Sequence, residues 1–489
     1  MGGLVVPSPM VAEVESPDVL IIGAGVVGTS IAMALSHLDV DVAVVERRHD
    51  VGEEASRANS GIANCGWSMR PGSLEAELVQ ASSGRWEDLS TRLGVKFRRV
   101  GLTLLAFTKD EAQQIPLLAD RASSNGVAAE IVEGAALETV APHASPDAMI
   151  GLFVPDEGVV DSVRLPVAYA ELAERNGVRF YLGEAVIGSS RSGDHVSEVV
   201  TTKRRFRPRF VVNAAGVGAD QVSDALEGEN FSVTARRGQW VLLDREFGKS
   251  VPSILTGVPT NLGHGPMVIP TAHGSVLVGP DAEDLERKDD RSTTIAGIAD
   301  VVARCQRLMP AIDTTFAIKT FAGLRPHSDP TYRVGWSDKS SNLLQVAGIR
   351  STGVSSSPAM GEHIRDVLIS AGLSSLPRTG ARDSLDYARP LWWDGDGERS
   401  AQDPLGRTVI CACEKVTARD IHQALQDPLP ATSIGGVARR THATWGRCQG
   451  SACLSGVAFI TSLYTGGAAW ETPMHEPDSS IGVGETSRA

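Results

Sequence analysis

Residues Gly23-Ala-Gly25-Val-Val-Gly28 lie between an apolar run, Val19 to Ile22, and a helix-period segment, Thr29 to Leu38. Glycines at this spacing let the chain turn tightly out of a strand and bring backbone N–H groups against a pyrophosphate at a helix N-terminus. A second apolar run, Val42 to Val45, ends at Glu46, where a carboxylate can accept hydrogen bonds from a ribose hydroxyl. Strand, turn, helix and strand in this order, with short links, open a doubly wound parallel sheet. A tight turn in some other α/β protein would explain the glycines but not the acid that closes the second strand. Nicotinamide and flavin dinucleotides present the same pyrophosphate, so the turn alone does not choose between them.

At 489 residues the chain exceeds the roughly 250–300 residues at which one hydrophobic core stops growing, so two or three domains are expected. Strand-like segments at Gly101 to Phe107, Val178 to Tyr181, Phe210 to Asn213, Gln239 to Leu243 and Ser275 to Val278 alternate with turn-rich stretches. Val167 to Arg175 has an amphipathic helical pattern. Together these predict an α/β nucleotide-binding domain interleaved with a sheet-rich substrate domain over residues 17–373, after a flexible tail at 1–16. Residues 374–407 turn Pro-, Gly-, Asp- and Arg-rich without a sustained period and read as a linker with local contacts through Trp392 and Trp393. A small unit at 408–466 follows, with a helix start at Thr417-Ala-Arg-Asp420 whose hydroxyl and carboxylate can cap free N–H groups. Residues 467–489 read as a flexible tail.

The formal charge of −13 repels phosphate backbones and anionic lipid heads, which argues against nucleic acid and membrane-surface partners. An anionic substrate therefore needs a local basic site. No run approaches the ~18 apolar residues of a membrane span, and Met1 to Ser16 lacks the basic start and apolar core of a signal peptide. A cytoplasmic protein is expected.

Four of the six cysteines crowd into the C-terminal unit, as Cys411-Ala-Cys413 and Cys448-Gln-Gly-Ser-Ala-Cys453, the second pair just before a helix-like run from Leu454 to Tyr464. Thiolates are soft ligands suited to iron–sulfur clusters or zinc. Structural zinc usually leaves two to four residues between paired cysteines, so a Cys-x-Cys pair is tight for it, and disulfides are unexpected in a cytoplasmic chain. Cys65 and Cys305 stand alone and read as small apolar fillers.

The segment Gly52-Glu-Glu-Ala-Ser56-Arg57-Ala-Asn59-Ser60-Gly61 resembles the second flavin-contacting loop of the D-amino acid oxidase superfamily, in its branch of FAD-dependent glycerol-3-phosphate and L-2-hydroxyglutarate dehydrogenases. The resemblance continues at Met69-Arg70-Pro-Gly-Ser-Leu-Glu75, Val212-Asn-Ala-Ala-Gly216, Phe321-Ala-Gly-Leu-Arg325-Pro326 and Val346-Ala-Gly348-Ile-Arg-Ser-Thr-Gly353-Val354, and covers most of residues 18–370. It implies a Rossmann-type FAD-binding domain. Its cofactor-binding positions would be Gly23, Gly25, Gly28, Glu46, Arg47, Ser56, Asn59, Ser60, Gly61, Val186, Gly216, Gly323, Gly348, Gly353 and Val354. Small residues at Gly348 and Gly353 let backbone amides approach the flavin edge, where reduction develops negative charge. Cys65 then falls beside the presumed flavin. Arg439-Arg440-Thr441 and Gly446-Arg447-Cys448-Gln449-Gly450 resemble the bacterioferritin-associated ferredoxin-like [2Fe-2S] domain, which some relatives of anaerobic glycerol-3-phosphate dehydrogenase carry at this end. That implies a small, mainly helical unit in which Cys411, Cys413, Cys448 and Cys453 hold a [2Fe-2S] cluster.

A flavin next to such a cluster converts a two-electron hydride into single electrons. The resemblance therefore implies a dehydrogenase for a small anionic hydroxy compound, of the glycerol 3-phosphate or 2-hydroxyacid type. Electrons would leave to an external acceptor or a partner redox subunit; the oligomeric state is left open. Arg325, near the flavin by family position, is the candidate anchor, because its planar fork suits a carboxylate or phosphate. Arg350 is a second candidate, at a place where many relatives carry an acid. Asn64, in Gly61-Ile-Ala-Asn64-Cys65-Gly66, is a sharper departure: hydroxyacid and glycerol-phosphate relatives typically have His there, and Asn cannot serve as a general base. An amine or amino acid substrate, and a non-catalytic electron-transfer subunit, stand as alternatives on that ground. An oxidase passing electrons to oxygen would not need the cluster. His264, His273 and His327 are the possible replacement bases.

Overall fold

All four residues of Val19–Ile22 are buried, as a strand covered on both faces requires. In the computed structural model, which describes residues 14–259, 265–385, 403–426 and 428–482, this strand (β1) leads through the glycine turn into helix α1 (Val26–Leu35) and strand β2 (Val42–Glu46). The chain continues with α2 (Arg164–Arg175), β3 (Arg179–Leu182), β4 (Phe210–Asn213), β5 (Thr234–Leu243), β6 (Ala317–His327), β7 (Arg333–Trp336), β8 (Leu343–Ala347) and α3 (Gly353–Ser370). Strands stand in the order β3-β2-β1-β4-β8-β7, parallel except for the edge strand β7. Alternation sorts the side chains. Val19 and Ile21 face a core built with Ile31, Leu35, Val167, Met360 and Ile364 of the three helices. Leu20 and Ile22 face Val196, Val199 and Phe206, which belong to a small four-stranded sheet on the other side.

The second domain is a nine-stranded, mixed sheet whose strands come from either side of the parallel sheet's later strands in the chain, so the two domains interleave. Within it β5 and β6 pair antiparallel over nearly their whole length, and the helix Ile295–Leu308 covers one face through Val301, Cys305 and Leu308. Sequence pattern located β5 only from Gln239 onward. Its first half carries Arg236 and Arg237, whose charges mask a strand that pairing with β6 nonetheless imposes.

The C-terminal unit opens with a short hairpin, Val409–Cys411 and Val416–Thr417. The helix Ala418–Ala424 begins at the expected capping box, with Thr417 and Asp420 capping reciprocally. Helices α4 (Ile434–Thr441) and α5 (Leu454–Thr465) follow, around a core of Ile421, Ile434, Val437 and Val457 that includes Cys411 and Cys453. Residues 467–482 do not form the free tail expected of them. The Pro473 and Met474 carbonyls accept the N–H groups of Ile434 and Gly435 at the start of α4, and Glu476 pairs with Arg48 at 3.0 Å. The first part of the expected linker also lies against the parallel-sheet domain: Arg378 donates to the carbonyls of Ser36 and Val40, and Leu385 is buried. Trp392 and Trp393 lie outside the described residues. Among those residues no helix is long and apolar enough to cross a membrane.

Candidate functional site

The dinucleotide turn is built from backbone approaches that side chains would block. Gly23 takes φ +105° and donates its N–H to the Val45 carbonyl at 2.8 Å. A Cβ at Gly28 would lie 1.9 Å from the Gly23 carbonyl oxygen, so α1 sits directly on the turn. Gly25 starts α1 without a side-chain cap, and Ser56 Oγ accepts the Val26 N–H at 2.9 Å. Glu46 holds the turn from the end of β2: its two oxygens accept the N–H groups of Ala24 and Arg48, each at 2.8 Å. Each oxygen keeps a further lone pair for a hydroxyl. Arg47 leans away, onto Glu54 at 3.2 Å.

The loop after β2 is shaped by its own polar side chains. Asn59 Nδ2 donates to the Ala55 and Ser56 carbonyls while its Oδ1 accepts from Gly61 N, and Ser60 Oγ accepts from Ile62 N. Gly323 in β6 meets this loop so closely that a Cβ would fall 1.9 Å from the Ala58 carbonyl oxygen. At the ends of β4 and β8, Gly216 follows Ala214, against which Gly23 packs, and Gly353 opens α3 beside Val26 and Val27. Val354 packs in the same cluster as Val26, and Gly348 closes β8 with a left-handed φ of +66°. Val186 stands near Glu184, whose N–H bonds the Glu46 carbonyl at 2.9 Å. Strand ends and two helix N-termini therefore converge on one cradle, whose close backbone donors fit a pyrophosphate and a flat ring system.

A cavity of about 880 Å³ opens between this cradle and the nine-stranded sheet. Strand alternation supplies its wall: Gly323, Arg325 and His327 on β6, and Arg236, Gly238 and Trp240 on β5, are two apart and line it together. The Arg325 guanidinium donates to the carbonyls of Arg236, Arg237 and Asp281, the last at 2.7 Å. Burial, and then the neighbouring Arg236, bring its pKa down to about 10. Arg236 is itself neutralised by Asp284, at 2.6 and 2.9 Å. Arg350 lies 3.7 Å from Glu75 and also lines the cavity.

Of the three candidate bases, His327 lines the cavity with a buried Nδ1 that has no hydrogen-bond partner among the described residues. Burial and then Arg236 lower its pKa, which leaves a neutral imidazole able to take a proton. His273 is not there: its Nε2 lies 2.9 Å from Asp161, beside His442 of the C-terminal unit. His264 lies outside the described residues. Asn64 lines the cavity, but its amide is spent on the loop, donating to Glu157 at 2.8 Å and accepting from Gly66 N at 2.7 Å. It positions rather than exchanges protons.

Glu157 left no mark in the sequence. Fully buried, it also accepts the Cys65 N–H and thiol, and burial pushes its pKa up to about 7. Burial, then Glu157, raise the Cys65 thiol far above its usual range, so Cys65 is an inert filler. Because the folded state holds the Glu157 proton more tightly than the unfolded chain does, this group's stabilisation is complete below its ordinary value of 4.5 and is lost as pH rises through about 7. Glu157→Gln should therefore flatten the fall in thermal stability between those pH values. Parallel melting curves for wild type and variant would refute this buried-acid reading.

In the C-terminal unit the four cysteines are free thiols that meet in two pairs, Cys413 with Cys448 and Cys411 with Cys453. The Ala452 amide, ahead of burial and the Cys413 thiol, sets the Cys448 pKa down at about 7, so backbone donors already face its sulfur. Gly446 explains its motif: a Cβ there would lie 2.3 Å from Cys413 Cβ. Four thiols on two short loops, with amides aimed at sulfur, suit an iron–sulfur cluster.

Residues 18–367 match the family model described as FAD dependent oxidoreductase, and residues 409–460 match the BFD-like [2Fe-2S] binding domain. The chain is 32% identical over 474 residues to a glycerol 3-phosphate dehydrogenase of Caloramator mitchellensis, covering 96% of this chain and 98% of that protein. It is 24% identical over 503 residues to the anaerobic glycerol-3-phosphate dehydrogenase subunit A1 of Haloferax volcanii, covering 90% and 81%. Among solved structures, the dithionite-reduced L-α-glycerophosphate oxidase of Mycoplasma pneumoniae with FAD bound shares the fold with a TM-score of 0.71, at 25% identity over 76% of this chain and 98% of that one.

Proposed function

Because this chain belongs to the family of FAD dependent oxidoreductases and carries a BFD-like [2Fe-2S] binding domain, we propose that it dehydrogenates a small anionic hydroxy compound of the glycerol 3-phosphate type. FAD accepts the hydride when bound, and the cluster carries the electrons away singly. The reading rests above all on likeness to a glycerol 3-phosphate dehydrogenase along almost the whole of both chains, cluster unit included. The cavity agrees with it. Arg325 has no carboxylate within ion-pair distance among the described residues and sits half-buried in the sheet wall, whereas Arg70 and Arg121 line the cavity from exposed positions, so it is the wall cation placed to grip a phosphate or carboxylate. His327, two residues on along β6, takes the hydroxyl proton. Glu157 and Asn64 hold the loop that floors the cavity. Electrons pass to an external acceptor or a partner subunit, as the subunit designation of the Haloferax relative suggests.

Asn64 favours a second reading, an amine or amino acid, whose neutral form needs less help from a base. Anaerobic addition of glycerol 3-phosphate, 2-hydroxyacids and amino acids to the purified protein separates the two. Bleaching of the flavin absorbance by glycerol 3-phosphate or a 2-hydroxyacid is expected. Bleaching by amino acids alone would transfer the assignment to amine oxidation. No bleaching by any of them, with dithionite reducing both cofactors, would make the chain an electron-transfer subunit.

A further inference from the structure

We propose that Arg439 and Arg440 of the C-terminal unit are positioning residues of the FAD site, clamping the segment Asp50 to Glu53 that braces the dinucleotide turn. The segment follows β2 and returns to the turn, where Gly52 N donates to the Ala24 carbonyl at 2.9 Å and Ser56 then caps Val26. The placement of this loop and the shape of the turn are thus one structural variable. Yet the loop carries Asp50 and Glu53, 3% and 5% exposed, and buried carboxylates without cations are strongly destabilising.

The cations come from α4. Arg440 grips Asp50 with both terminal nitrogens, at 2.8 and 3.1 Å, and is itself oriented by the Gly436 and Leu429 carbonyls. Arg439 lies 2.6 Å from Asp50 and 2.6 Å from Glu53, the Glu53 contact being an ion pair outside hydrogen-bond angles. Both guanidiniums are 0% exposed. Burial pulls the Asp50 pKa upward, but Arg440 and Arg439 outweigh it and hold the group far below the usual carboxylate range. Helix α4 approaches so closely that a Cβ on Gly436 would lie 2.9 Å from Asp50 Oδ2. Two rim contacts extend the grip, Glu476 on Arg48 at 3.0 Å and His475 on Arg57 at 3.3 Å. The cluster-bearing unit is in this sense the outer wall of the cofactor site, and by linkage whatever affinity it lends to FAD, FAD returns as tighter docking of that unit.

The proposal rests on reading Gly23 to Gly61 as the FAD-binding segment, and the test keeps the two apart. Full-length, iron-loaded protein is freed of flavin and titrated with FAD, followed by quenching of FAD fluorescence, at a temperature where every variant is folded. Arg440→Met is expected to raise the FAD Kd about 10-fold or more, equivalent to 1.4 kcal/mol or more, with iron content unchanged. Arg440→Lys, which keeps the charge but not the fork, should fall between it and wild type. An unchanged Kd, even with a lowered melting temperature, would make the arginines ordinary interface residues and overturn the proposal. Glu46→Gln is the control: if it too leaves the Kd unchanged, the FAD reading of the segment fails and the proposal with it. Should Arg440→Met not fold, Glu476→Gln at the rim replaces it, with a several-fold weaker FAD Kd expected and no change counting against the clamp.

Discussion

Cys448→Ser is expected to abolish iron binding: close to two irons per chain in the wild type, as a [2Fe-2S] cluster contains, falling to almost none, with the brown component of the spectrum gone and the yellow one kept. Cys448 is the thiol that the fold has already prepared, its pKa drawn down to about 7 first by the Ala452 amide, and a serine hydroxyl in its place neither ionises in that range nor offers a soft donor. Because the cradle for FAD lies within residues 18–367, FAD should remain bound. It should not remain bound equally well. Cys411 and Cys453 share a core with α4, so loosening that core slackens Arg439 and Arg440 and thereby the loop they clamp. Iron assay with flavin quantification checks both parts. Iron content at the wild-type level would remove Cys448 from the ligand set.

What could be read in the sequence was what is encoded by neighbours along the chain. The glycine turn, the two apolar strands beside it and the capping box at Thr417 and Asp420 depend on residues a few positions apart, and each appears in the structure where expected. Helix α1 begins at Val26 rather than Thr29, because a glycine turn spends its last residues inside the helix it opens. The cysteine pairs were legible because thiols are rare and their spacing is itself the signal.

What could not be read depends on partners far away in the chain. Glu157 is an ordinary acid in the sequence, and only folding brings it to Asn64 and Cys65. The linker marked the C-terminal unit as separate from the rest of the chain, whereas the structure ties the two together through Asp50 with Arg439 and Arg440 and through Asp161 with His442. Ion pairs of this separation leave no periodicity, so α4 was visible as a family motif and invisible as a clamp. His273 shows the same limit from the other side: as a lone histidine it was eligible for acid–base work, and its actual neighbour, Asp161, withdraws it from the cavity.

Arg325→Lys should slow reduction of the bound flavin by about 100-fold while leaving FAD affinity nearly unchanged, because a misplacement of about 1 Å in a reacting substrate can cost that much in rate. Three backbone carbonyls aim the guanidinium, and no carboxylate neutralises it within ion-pair distance among the described residues. Its neighbours are differently placed, Arg236 being matched by Asp284 and Arg350 lying within reach of Glu75. A half-buried cation that retains its charge at neutral pH despite desolvation, with a pKa of about 10, is poised to gain when an anion arrives. Lysine keeps one charge but cannot hold those carbonyls and a two-point anion in one plane. FAD, in contrast, would be held by many backbone groups of the cradle, which apart from Gly323 belong to elements other than β6. Rapid mixing of the anaerobic variant with the substrate that bleaches the wild type reads the rate directly, and flavin titration reads the affinity. If both the rate and the dependence on substrate concentration stay at wild-type values, Arg325 is a structural staple between β5 and β6, and Arg350 becomes the residue to which the anion must be assigned.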